Sequence, residues 1–332
     1  MLYQSGLLLS IILAGAFSGT ALLPMKFTKE WRFENTWLIY AICAYLLSPW
    51  LVAVLSIPHL FDVYAGAGFR PCVLTAIFGF GWGLAVVLNG LGVAMIGLSL
   101  ASAIMMGSSI ALGSLFPLLL KDSGQITTGP GIAILGLGVV MLVGVLLCAR
   151  AGQLRGGDAK GERRSVTTRG ILICLIAGTL STLFNVALAY GDVISRQAIA
   201  HGAQPASSAN AIWSLAVSAG SLPSILLCTT SLTRTRTWSL FNSNFNRNAS
   251  LCVVMAVLWI TGTVIYGAAA GMLGKFGAAV SWPIYMSGII LTSNVLGWIT
   301  GEWRGVTGAP VRYLLSGVGV QIVSIVALGR IQ

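Results

Sequence analysis

The chain has 332 residues, of which 56% are hydrophobic and only 8% charged. Soluble domains carry roughly 25% charged residues, and a mean hydropathy of +0.90 leaves more apolar surface than a water-soluble fold of this length can bury. The net charge of +11 does not point to nucleic acid, because the basic residues sit in short gaps between apolar runs instead of clustering with aromatics on one face.

A bilayer core of roughly 30 Å takes about 20 apolar residues as a helix. Solid apolar runs without the alternation of a barrel strand pair all their backbone amides within the segment only as helices. The first run, 6–25, is followed by Lys26, Lys29 and Arg32 and has no basic residue before it. That is the reverse of a secretion signal, so it reads as a retained first span. Its Gly15 and Gly19 permit close helix crossing. The second span is 36–57. From 71 to 120 there is no charge; the stretch is too long for one helix and divides at Gly97 into spans 72–94 and 98–120. The third span carries Phe78-Gly79-Phe80-Gly81-Trp82-Gly83, whose alternate glycines bare the backbone. Trp82 there is placed either to stack on a sugar ring or to pack against a neighbour's small residue. A fifth span, 131–148, leads into the basic segment 150–169. Five more follow at 171–190, 209–232, 251–273, 276–300 and 311–328. The predicted fold is an all-α membrane protein of about ten transmembrane helices.

Numbering the loops alternately places 14 of the 19 Lys and Arg on one side, including Arg150, Arg155, Arg163, Arg164 and Arg169. The positive-inside rule predicts that this side is cytoplasmic and both termini periplasmic in a bacterial inner membrane. The basic segment separates a first half, 1–149, from a second, 170–332. Five is odd, so the second half must cross the membrane in the opposite sense, as inverted repeats do in many transporters. Gly15-Ala-Phe-Ser18 and Gly178-Thr-Leu-Ser181 are a short internal match of that kind.

Polar side chains deep in spans are costly and tend to face the bundle interior or a watery cavity. Asn89, Asn185, Asn210, Trp213, Trp259, Tyr266, Trp282, Tyr285, Asn294 and Gln321 are of this type. Amides exchange hydrogen bonds with hydroxyls, and aromatic faces cover CH patches, so together they suit a neutral polyhydroxylated ligand; interhelical hydrogen bonding is the alternative for each. No Asp or Glu lies mid-span, which leaves Glu34, Glu302 and Asp192, all at span ends, as candidates for a coupled proton. His59 and His201 stand alone, the six cysteines lack ligand spacing, and no phosphate loop or nucleophile–base pair occurs. No metal, cofactor or enzymatic role is expected.

Several segments carry a wider resemblance: Lys26 with Trp31-Arg-Phe-Glu34-Asn-Thr-Trp37, Pro49-Trp50, Phe78-Gly79-x-x-Trp82-Gly83 and Gly97-Leu-Ser99. Further on come Arg150-Ala-Gly-Gln-Leu154, Ser281-Trp282 with Met286-Ser287, and Gly301-Glu302-Trp303. In order and spacing the chain resembles the L-rhamnose–proton symporter family of the drug/metabolite transporter superfamily. The resemblance implies two inverted five-helix halves, a central cavity drawn from spans 1, 3, 4, 6, 8 and 9, and uptake of L-rhamnose or a similar deoxyhexose with a proton. It makes Trp82, Asn89, Asn185, Tyr266, Ser281, Trp282 and Tyr285 the candidate sugar contacts; motif matching itself covers Trp82, Ser281, Trp282, Glu34 and Glu302. An exporter or carrier of another small polar metabolite and a non-transporting membrane sugar sensor are the alternatives.

Overall fold

The computed structural model describes residues 2–121, 123–156, 167–301 and 303–331; the centre of the basic segment and Glu302 lie outside the described residues. Among the described residues, ten helical stretches are long and apolar enough to cross a bilayer. Spans 1–5 are Ser5–Phe27, Phe33–Ser56, Phe69–Ile96, Leu100–Leu119 and Gly129–Arg155. Spans 6–10 are Thr168–Ala200, Asn210–Thr235, Phe245–Met272, Gly277–Ile299 and Ala309–Leu328. No strand occurs among the described residues. The ten predicted runs fall on these spans one for one.

The local chemistry sets the ends. Gly97 adopts φ 86° and ψ 157° between the helices Phe69–Ile96 and Leu98–Lys121, a region essentially reserved for glycine. Span 2 contains a π turn, Ile42–Leu47, just before Ser48-Pro49. Pro49 has no N–H to give the Tyr45 carbonyl four residues earlier, and a wider turn slips the ladder past it. The span stops where Ile57 becomes extended and His59 takes φ 51°. A short helix, Leu60–Ala67, then leads to span 3.

Span 6 is longer than its apolar run and discontinuous. It consists of Thr168–Ser181, Leu183–Tyr190 and Asp192–Ala200, with breaks at Thr182 and Gly191. Hydropathy falls at Asp192 and Arg196, which ends the apolar run, while the helix itself continues because those charges face a cavity.

The packing pairs come in exchangeable sets. Span 1 lies against spans 8 and 9, and span 6 against spans 3 and 4; span 3 lies against span 7, and span 8 against span 2; span 5 lies against span 10. Exchanging spans 1–5 with 6–10 in order carries each of these neighbours into another, which is consistent with two halves related by a two-fold axis. The short internal match sits at corresponding places. A Cβ on Gly15 would lie 2.7 Å from the Tyr285 carbonyl of span 9, and one on Gly178 would collide with Ser108 of span 4. The aromatic–glycine motif of span 3 does the same against span 7, where Gly79 meets Ala216 and Gly83 meets Gly220, backbone to backbone.

Candidate functional site

Two cavities lie inside the bundle. The smaller, about 190 Å³, is lined by residues of spans 2, 3, 4, 6, 8 and 9. Its walls are largely rings. Trp82 and Trp259 stack with centroids 5.8 Å apart at 25°. Tyr45 stands edge-on to both, at 5.2 and 4.9 Å, held there by the turn before Pro49. Phe184 tilts against Trp82 at 5.1 Å. Trp282 and Tyr285 form the facing wall, 6.0 Å apart. The Trp282 indole N–H donates to the Ser109 carbonyl at 3.0 Å, which fixes that ring against span 4.

The polar groups in this cavity are few and uncharged. Asn89 lines it, and its Oδ1 is buried without a hydrogen-bond partner. Ser181 lines it at the first break of span 6. The Tyr285 hydroxyl is 2.7 Å from Ser18 Oγ, which draws span 1 in behind the wall. No Asp, Glu, Lys or Arg is among the lining residues. Aromatic faces with one free amide acceptor and a few hydroxyls are the composition that holds a small neutral ligand with both CH faces and hydroxyls.

The larger cavity, about 520 Å³, lies toward the face opposite the basic loops, between the ends of spans 4, 6, 7, 8 and 9. Asp192, Ser195, Arg196 and Ser208 line it. Arg196 Nη1 donates to Asp192 Oδ2 at 3.0 Å, with both side chains substantially exposed, and Ser195 donates to Ser208 at 2.7 Å.

A layer of stacked rings lies between the two. Phe184 stacks on Trp213 at 4.5 Å and 17°, and Tyr266 stacks on Tyr285 at 4.6 Å and 30°. At its centre Asn185, fully buried, has its amide nitrogen donating to the carbonyls of Gly113 and Ala278, both at 2.9 Å. The Tyr266 hydroxyl donates to Asn185 Oδ1 at 2.6 Å.

Of the candidate sugar contacts, Trp82, Asn89, Trp282 and Tyr285 line the smaller cavity. Asn185, Tyr266 and Ser281 lie in the layer at its end, buried, with Ser281 beside the Tyr266 hydroxyl. Asp192 lines the larger cavity. Glu34 lines neither; it accepts a hydrogen bond from Ser231 at 3.1 Å where spans 2 and 7 meet on the basic face. Glu302 lies outside the described residues. Trp37, Tyr45, Ser181, Phe184 and Trp259 also line the smaller cavity, beyond the candidate sugar contacts. The resemblance implied span 1 in the lining; the structure uses span 2 there. The signal that finds Tyr45 is Pro49 four residues on.

The family model described as L-rhamnose-proton symport protein (RhaT) matches residues 4–331. Among curated relatives, the L-rhamnose-proton symporter of Citrobacter koseri is 25% identical over 323 residues, covering 92% of each chain. That of Escherichia coli O1:K1 is 25% identical over 320 residues, and that of Cronobacter sakazakii 26% over 320, each again covering 92% of both chains. The chain belongs to the L-rhamnose-proton symport protein family, whose members are multi-pass membrane transporters rather than enzymes.

Proposed function

We propose that the chain imports L-rhamnose or a similar deoxyhexose together with a proton, by alternating access across a bacterial inner membrane. The observation that carries the substrate class is the charge-free aromatic cavity with the unpartnered Asn89 acceptor. Trp82, Trp282 and Tyr285 cover the CH faces and the C6 methyl, while Asn89 and Ser181 take hydroxyls. The relatives' names supply L-rhamnose and the proton. The exchangeable packing pairs support two inverted halves, 1–149 and 170–332, and placement in the drug/metabolite transporter superfamily. The loop charges support a cytoplasmic basic face and periplasmic termini.

Of the described candidates for the coupled proton, Asp192 lines the larger cavity and Glu34 lines neither, and that cavity faces the periplasm on this orientation, which supports Asp192 as the coupling carboxylate. A carboxylate needed for coupling is dispensable for exchange, which separates the two roles. In proteoliposomes, Asp192→Asn is expected to retain L-rhamnose exchange and lose accumulation driven by an imposed pH gradient. Undiminished accumulation by Asp192→Asn assigns coupling elsewhere, with Glu302 and Glu34 next.

A further inference from the structure

The layer between the two cavities rests on helix-ladder accounting around Asn185. Span 4 has Pro117 inside its helix. Proline has no N–H, so the carbonyl four residues earlier, that of Gly113, is left without its in-helix donor. In a lipid-embedded bundle such a carbonyl must find another partner. The partner is the side-chain amide of Asn185 from span 6, at 2.9 Å.

The remaining bonds hold that amide in place. Its second N–H is taken by the Ala278 carbonyl in the first turn of span 9, and its oxygen receives the Tyr266 hydroxyl of span 8. Both of those partners lie in the second half of the chain, as Asn185 does. Gly113 lies in the first half. The bond from Asn185 to Gly113 thus joins the halves, while the other two orient the amide from within its own half. Gly113 packs directly on the Trp282 ring that lines the smaller cavity, and Ala278 lines the larger one, so the amide that bridges their carbonyls lies between the cavities and a solute passing from one to the other must part this contact.

We infer that Asn185 is a positioning residue for transport: a latch that closes the layer between the cavities by supplying the hydrogen bond Pro117 withholds from Gly113. The inference rests on the transport reading above. It differs from a sugar-contact role because both amide protons are already engaged inside the protein, and it gives Pro117 a purpose, since an alanine there would take the Gly113 carbonyl back into its own helix. Opening is a swap of the latch for water or for a sugar hydroxyl, with no covalent change.

The test reads accessibility and needs no sugar. Met106 lines the smaller cavity and is partly exposed. Met106→Cys is treated with a membrane-impermeant maleimide from the face opposite the basic loops, and modification at that residue is quantified by peptide mass. With Asn185 present, labelling from that face is expected to be slow. Asn185→Leu is expected to speed it by about tenfold or more. Asn185→Asp, which is isosteric and has at most one donor for two carbonyls, is expected to do so by a smaller factor and guards against a folding failure of the leucine variant. In a Pro117→Ala background the effect of Asn185→Asp should shrink, because Gly113 then has its own donor. Labelling of Asn185→Asp at the wild-type rate would overturn the latch, and an unchanged effect in the Pro117→Ala background would overturn its dependence on the proline gap. Failure of L-rhamnose uptake in the unmodified protein leaves both readouts intact.

Discussion

At the cavity wall the chemistry is decided by which polar atoms remain free. The Tyr285 hydroxyl shares a hydrogen bond with Ser18 and the Trp282 N–H donates to the Ser109 carbonyl, so these rings present faces to a ligand. Asn89 is the exception, with a buried acceptor and no partner. A neutral hydrogen bond of this kind contributes about 1 kcal/mol net, or roughly fivefold in affinity. Asn89→Leu is accordingly expected to weaken the apparent affinity for L-rhamnose about fivefold. Since it removes an unsatisfied buried acceptor, the melting temperature of the sugar-free protein should not fall. A lowered melting temperature with unchanged affinity would show that Asn89 serves packing.

The same scale shows where residue types alone mislead. Asn89 and Asn185 are both amides in mid-span, yet one faces the cavity with a free oxygen and the other closes the layer with its donors engaged. The difference is written in Pro117, which is remote from Asn185 in the chain and frees the carbonyl that Asn185 takes. Phe80 and Trp82 share one motif, but Phe80 is 41% exposed to the lipid side while Trp82 is 8% exposed and faces the cavity.

At the scale of elements, bilayer thickness made the ten spans legible from hydropathy, and Gly97 marked the turn in the uncharged stretch. What hydropathy could not show was shape within a span. The π turn before Pro49, the breaks in span 6 at Thr182 and Gly191, and the short helix Leu60–Ala67 come from backbone hydrogen bonding and tertiary contact. The glycines of span 3 act at this scale, by letting spans 3 and 7 meet backbone to backbone. A Cβ on Gly83 would collide with the Gly220 carbonyl, and overpacking of this sort typically costs 1–3 kcal/mol or so. Gly83→Ala should lower the melting temperature of the purified protein. Gly90, about two turns further along the same helix, where a Cβ meets nothing within 4 Å, should tolerate alanine. Equal loss at both sites would mean that helix propensity, not the crossing, governs.

For the whole molecule, the proposed path runs from a charge-free aromatic chamber through a layer of stacked rings to a wider chamber with an acid–base pair. Two halves related as the packing pairs suggest, with chambers on either side of the layer, would meet what alternating access requires: the layer parts while the far side closes, and the sugar changes sides without an open pore. The central claim is that the aromatic chamber is the sugar site. Counterflow of radiolabelled L-rhamnose into L-rhamnose-loaded proteoliposomes tests it most directly, with Trp82→Ala beside the unmodified protein at matched folded amounts. Transient accumulation is expected of the unmodified protein, suppressed by other 6-deoxyhexoses more than by amino acids, and none of Trp82→Ala. Absence of counterflow in the unmodified protein, or undiminished counterflow in Trp82→Ala, would contradict that claim.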